Sequence, residues 1–298
     1  MDITGKTAFT SADQREKRKK NEFFKNFAKH KVATVSLCII VLEILAVIFL
    51  PMIIPMAPYT TDPLAFNSPP SATHLLGTDD TGRDLFARLV YGGRISLSIG
   101  ILSTLISIVI GLPLGLLAGY YRGFWETLVM RAADIFMSFP GMILILVVVA
   151  IFGSSISSIT IVIGVLGWPA TAKLLYGNVL SVRKKEYVEA AKALGTSDLA
   201  VIFQYVLPNA ISPLWMSIAF RISSAMITES GLSFLGAGVQ PPQASWGNII
   251  QAANNIMVLT KRLWVWVPAS ICLMVTIICI NFIGEGVRDA LDPKMKRL

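Results

Sequence analysis

The chain has 298 residues, 54% of them hydrophobic and only 15% charged, with 26 Lys or Arg against 18 Asp or Glu and a formal net charge of +8. That apolar excess excludes an ordinary soluble domain and points to a polytopic membrane protein. Cys38, Cys272 and Cys279 all fall in apolar runs, and His30 and His74 lie on opposite sides of the first run, so a disulfide framework and a His/Cys metal cluster are both excluded.

Residues 1–31 form a basic leading segment with nine Lys or Arg, in which Phe23, Phe24 and Phe27 interleave with Lys20, Lys25 and Lys29 as in a short interfacial helix. Six runs are long enough to cross a bilayer, near residues 32–54, 96–119, 133–152, 156–176, 210–230 and 264–283. An even number puts both termini on one side. The first run is longer than a signal core and lacks a small-residue cleavage site. It holds Glu43, whose cost of about 3 kcal/mol at a helix centre is outweighed by many Leu, Ile, Val and Phe at roughly 0.3 to 0.6 kcal/mol each. Glu43 should therefore face protein, either in a structural hydrogen bond or on a solute path.

Pro51, Pro55 and Pro58 end that span and open a loop over residues 55–95. Within the loop, Asp79 or Asp80 caps a predicted helix on which Leu85, Phe86, Leu89 and Val90 oppose Arg83, Asp84 and Arg88, so the helix is expected to lie flat on the outer surface. Asp79, Asp80 and Asp84 lack the further oxygen ligands of a cation site and read as a solvated face. The second span carries Gly111, Gly115 and Gly119 at intervals of four, a stripe for close helix contact. Arg122 and Arg131 hold the turn into the third span, and Gly164, Gly167 and Pro169 predict a kink in the fourth that lines a cavity or acts as a hinge. The fifth span contains Arg221, with Glu229 two turns later. Arg221 needs a paired or wet environment. It is either a structural partner of Glu43 or Glu229, or it lines the path and meets a substrate carboxylate. Residues 229–250 are rich in turn formers, and Trp246, Trp264 and Trp266 suit the membrane boundary.

Between the fourth and fifth spans lies the hydrophilic stretch 183–209, RKKEYVEAAKALGTSDLAVIFQYVLPN. It predicts a helix over 184–194, Gly195 in the left-handed conformation past its end, and N-cap oxygens from Thr196, Ser197 and Asp198 for a second helix that Pro208 stops. Val188, Ala191 and Leu194 are expected on the buried side and Lys184, Lys185 and Lys192 in water. Pattern alone leaves two readings, a helix docked in a groove of a cytoplasmic partner or one resting on lipid. Twenty of the basic residues fall on the side of both termini and this stretch, and five on the other, which places the termini and 183–209 in the cytoplasm. The positive charge then suits anionic lipid better than nucleic acid.

Glu189-Ala190-Ala191, Gly195 and Leu207-Pro208 resemble the EAA loop by which membrane subunits of ABC importers dock onto their ATPases, with Tyr205 where the motif often has isoleucine. The run GTDDTGRD in residues 74–100, the loop 229–250 and the ending with Arg288, Asp289, Leu291, Asp292 and Pro293 resemble, in the same order, blocks of the peptide and nickel importer permeases. The resemblance implies an all-α integral membrane protein with six transmembrane helices in the type I ABC importer permease (MetI-like) fold. Its parts would be a cytoplasmic basic segment 1–31, a first transmembrane helix 32–54, an extracellular loop 55–95 with an interfacial helix, a five-helix transport core 96–284 and a cytoplasmic tail 285–298. The setting would be a bacterial or archaeal cytoplasmic membrane.

By that resemblance the chain is a non-catalytic permease for oligopeptides or dipeptides. Glu189, Ala190, Ala191, Gly195, Leu207 and Pro208 would couple it to two ABC ATPase subunits that bind ATP and magnesium, with no cofactor in this chain. A homologous second permease and an extracytoplasmic binding protein complete the implied partners. Arg221, Glu229 and Glu43 are the candidate pathway residues. The alternative cargo is nickel or another small solute, though no His/Cys cluster favours a bare metal ion. Gly5-Lys6-Thr7 lacks the upstream glycine of a Walker A loop. An intramembrane enzyme would need paired catalytic groups, whereas Glu43 and Glu229 stand alone in their spans. An ion-coupled carrier would show internal repeats, and none is clear.

Overall fold

A computed structural model describes residues 23, 25–211 and 213–291. Most of the basic leading segment, Phe24, and Asp292 and Pro293 of the family-like ending lie outside the described residues. What is described of the predicted interfacial stretch is helical at residues 25–29, with Phe23 stacked on Phe27 at 6.3 Å between ring centroids.

The described residues form no β-strand. Among the described residues from Lys31 onward, thirteen α-helices follow in order: α1 (Lys31–Ile53), α2 (Leu85–Tyr121), α3 (Gly123–Ser138), α4 (Gly141–Phe152), α5 (Ile156–Leu166), α6 (Trp168–Val182), α7 (Glu186–Ala193), α8 (Asp198–Val201), α9 (Leu207–Ala210), α10 (Leu214–Phe234), α11 (Trp246–Gln251), α12 (Ile256–Lys261) and α13 (Leu263–Leu291). Four segments, α1, α2, α5–α6 and α13, are long and apolar enough to cross a membrane unaided. The other two expected spans belong to bent pairs. α3 and α4 meet at 88°, and the stretch Asp198–Ala210 meets α10 at 65°.

The first bend falls inside the run 133–152 expected as the third span. Phe139 is extended (φ −85°, ψ 143°) and Pro140 caps α4, because a proline pushes the residue before it out of the helical region. In the fourth span Gly167 interrupts the helix for one residue between α5 and α6 while keeping helical angles (φ −83°, ψ −14°), and Pro169 falls in the first turn of α6, so the two helices still form one span.

α2 organises the bundle, since it packs along α6 and also contacts α5, α10, α3 and α1. Its 37 residues span about 55 Å at 1.5 Å per residue. The glycine stripe faces α6: a side chain at Gly111 would strike Trp168 and Thr171, one at Gly115 the backbone of Ala172, and one at Gly119 the side chain of Val179. Only hydrogen at those positions lets the two backbones approach so closely.

The expected flat helix is also corrected. Residues 85–95 are the first turns of α2, capped by Asp84, whose carboxylate accepts from Ala87 N at 2.8 Å. A flat helix needs a wet polar face, but Arg88 is buried and sits 3.5 Å from Asp79, while Gly92 and Gly93 press on Ser245 and Trp246. Trp246, expected at the membrane boundary, is a core residue whose indole N–H donates to Leu89 O at 3.0 Å. α10 is shifted four residues beyond the predicted fifth span, and α13 outruns the sixth, so residues 285–291 of the expected tail are helical.

Candidate functional site

The stretch between α6 and α10 folds as predicted in outline. α7 carries Glu186 and Glu189 in its first turn and Lys192 in its last, matching the helix dipole at both ends. Gly195 has φ +80°. Its N–H reaches Lys192 O at 2.9 Å, and Thr196 N reaches Ala191 O at 3.1 Å, which is the Schellman closure that a left-handed residue permits.

Two details differ from expectation. Ser197 occupies the next N-cap without a side-chain bond. Pro208 does not stop the second helix either. A π-turn over Ile202–Val206 opens the ladder by one residue, Leu207 N–H bonds Ile202 O, and the proline falls in the first turn of α9.

The segment has a buried and an outward side. Val188, Ala191, Val201, Ile202, Val206 and Ala210 pack with Leu116, Tyr120, Leu175, Val179 and Val182 of α2 and α6. Outward point Tyr187, Glu189, Ala190, Leu199, Phe203 and Leu194, the last 86% exposed. Leu194 thus departs from the predicted buried side. Two steps of three residues each fall short of a full turn and leave it about 120° from Val188.

Three residues tie the segment to the end of α2. Tyr120 OH donates to Asp198 Oδ1 at 2.5 Å, Lys192 Nζ lies 4.4 Å from the centre of the Tyr120 ring, and Arg183 Nη1 donates to Tyr120 O at 2.7 Å. Of the remaining predicted coupling residues, Gly195 and Pro208 are exposed and Leu207 is half-buried.

The structure does not bring the three pathway candidates together. The single hydroxyl of Thr276 in α13 faces both carboxylate oxygens of Glu43, with Oγ1 2.7 and 2.8 Å from Oε1 and Oε2. Glu229 is fully buried, accepting from Ser245 at 2.7 Å, Ser233 at 2.8 Å and Ser96 at 3.4 Å. Ser96 in turn accepts from Trp246 N, so the carboxylate fastens α11 to α2 and α10. Arg221 pairs with neither. Its guanidinium rests against Gly167, where any side chain would collide with Nη2, and its Nε has no partner among the described residues. It lines two cavities that Glu43 and Glu229 do not reach.

A family model described as binding-protein-dependent transport system inner membrane component matches residues 111–297. The chain belongs to this family. A second model, the N-terminal TM domain of oligopeptide transport permease C, matches residues 21–70. Among relatives, the glutathione transport system permease protein GsiD of Pectobacterium atrosepticum is 37% identical over 92% of this chain and 91% of its own length. The GsiD protein of Escherichia coli O6:K15:H31 is also 37% identical, over 93% and 91%. In fold, the chain resembles an inward-facing structure of the MetNI methionine ABC transporter, with TM-score 0.58, 20% identity, and coverage of 69% of this chain and 97% of that one.

The chain is thus an ABC importer permease subunit of the inner membrane, a non-catalytic component. Sequence reasoning missed Tyr120, Arg183 and Asp198 in this permease. The contact joins residues 78 apart, and only the tyrosine's place one residue beyond the glycine stripe hinted at it.

Proposed function

We propose that this permease imports peptides and is driven by two separate ATPase subunits that bind ATP and magnesium and dock on α7 to α9. The observation that carries the reading is the two-sided build of that segment, with one face sunk into α2 and α6 and the other presenting Tyr187, Leu194, Leu199 and Phe203 around Glu189. A helix exposing large apolar residues beside a rigid attachment suits a groove on a partner. In this reading a homologous second permease completes the path, an extracytoplasmic binding protein delivers cargo at the opposite end near α11, and both termini are cytoplasmic. Peptide cargo is supported by the oligopeptide-permease match and by relatives named for glutathione, itself a tripeptide.

Closure of the ATPases would then push the segment and, through α2 and α6, rock the bundle. Glu189→Arg puts a cation in the first turn of α7, where the dipole disfavours it, and reverses the charge at the docking face. ATP-dependent uptake in proteoliposomes should fall to background, with the helix content of the purified permease unchanged by circular dichroism. Gly195→Asp should act the same way by straining the φ +80° turn. Full uptake by either variant would remove the docking role.

A further inference from the structure

Arg221 is a charge in the bundle that meets no hydrogen-bond or ion-pair partner among the described residues, and its Nε is buried. A guanidinium in an apolar bundle is costly unless an anion meets it. Space for that anion is present. Two cavities share Ala170, Phe220 and Arg221, one of about 370 Å³ towards Thr104, Ser224 and Thr228, the other of about 260 Å³ towards Thr171 and Ser217. The larger is in the range of small-molecule pockets, roughly 300 to 1,000 Å³. Thr104 Oγ1 is a second buried polar atom on its wall without a partner. The guanidinium occupies the gap that Gly167 leaves between α5 and α6, so the glycine of the fourth span and the charge of the fifth touch.

We propose that Arg221 is the carboxylate-binding group of the translocation path, held where the two chambers meet so that a peptide's terminal carboxylate stays on one guanidinium as it passes between them. The hydroxyls of Thr104, Ser224 and Thr228 on one side, and of Thr171 and Ser217 on the other, serve the amide groups that follow. This deepens the peptide-importer reading and rests on it. An acidic side chain from the second permease would meet the same cation chemically, but the two open cavities beside Arg221 give room for a passing solute.

The test reconstitutes the whole importer in proteoliposomes with its binding protein and compares trialanine with trialanine amide, measuring kcat for uptake. R221Q should slow trialanine by roughly tenfold or more and the amide by less than about twofold, as expected when a charged partner is lost from only one of two cargoes. R221K keeps the charge without the bidentate fork, so it should lower the acid-to-amide ratio by a smaller factor, and it decides the matter alone if R221Q fails to co-purify with the other subunits. Equal slowing of both cargoes, as a pair with the second permease would give, or an unchanged ratio overturns the assignment. A wild-type importer that takes up neither cargo with ATP refutes the peptide reading itself, and the assignment with it.

Discussion

Arg94 answers a gap that Pro51 makes. Proline has no N–H, so the carbonyl of Val47 one turn back loses its helical donor. The Arg94 side chain crosses from α2 and donates to Val47 O and, at 2.8 Å, to Ile48 O, with its guanidinium 5.1 Å from the Tyr91 ring centre. A neighbouring helix commonly satisfies the backbone that a proline frees in a membrane span. Arg94→Leu should therefore cost about 1.5 to 3 kcal/mol, and less in a Pro51→Ala background, where an N–H returns to Val47. Thermal unfolding of the four cycle members in detergent measures this, and an equal cost in both backgrounds would separate Arg94 from Pro51.

Asp79 is a second residue of this kind, outside the spans. Burial pushes its carboxyl up, but the backbone N–H of Arg83, the hydroxyl and N–H of Thr81 and the charge of Arg83 outweigh that, so the net direction is down. A lowered carboxyl stabilises the fold above its ordinary value of 3.8, and that contribution is lost as pH falls below it. The unfolding temperature should thus lose this contribution only under such acid conditions. Asp79→Asn should remove it at neutral pH by roughly 3 kcal/mol, since Arg88 is left buried without its partner.

At the scale of elements, the segment α7 to α9 and the end of α2 behave as one piece. Apolar packing holds them broadly, and the Tyr120 to Asp198 bond, with Arg183 capping the last carbonyls of α2, fixes their angle. A push on the outward face reaches α2 only if that joint is stiff. Tyr120→Phe keeps the ring and its packing and removes the one hydroxyl, a change of about 1 kcal/mol. ATP hydrolysed per peptide imported should rise several-fold in the reconstituted importer while the ATPases still co-purify. An unchanged ratio would show that packing alone transmits the motion.

At the scale of the molecule, what could be read in advance was whatever a local period dictates. Glycines four apart must share a helix face, so a close contact on that face of α2 was legible, though not that α6 makes it, and Gly195 past a short amphipathic run announced its own turn. Hydropathy was blind to the break at Pro140, because the apolar run continues on both sides of it. Trp246 was misplaced because its partner, Leu89, lies 157 residues away in the chain, and the link of Glu229 to α2 through Ser96 spans 133. The disposition of the whole in the bilayer follows from charge, and it is open to direct measurement. Leu64 is 97% exposed in the loop before α2, and Leu194 is 86% exposed at the other end of the bundle. The excess of Lys and Arg beside Leu194 is the ground for proposing that this end is cytoplasmic. In a background without the native cysteines, Leu64→Cys should react with a membrane-impermeant maleimide on intact cells and Leu194→Cys only after permeabilisation. Bound ATPase subunits should then shield Leu194→Cys alone. Labelling of Leu194→Cys from outside would invert the orientation and leave the docking face with no access to ATP.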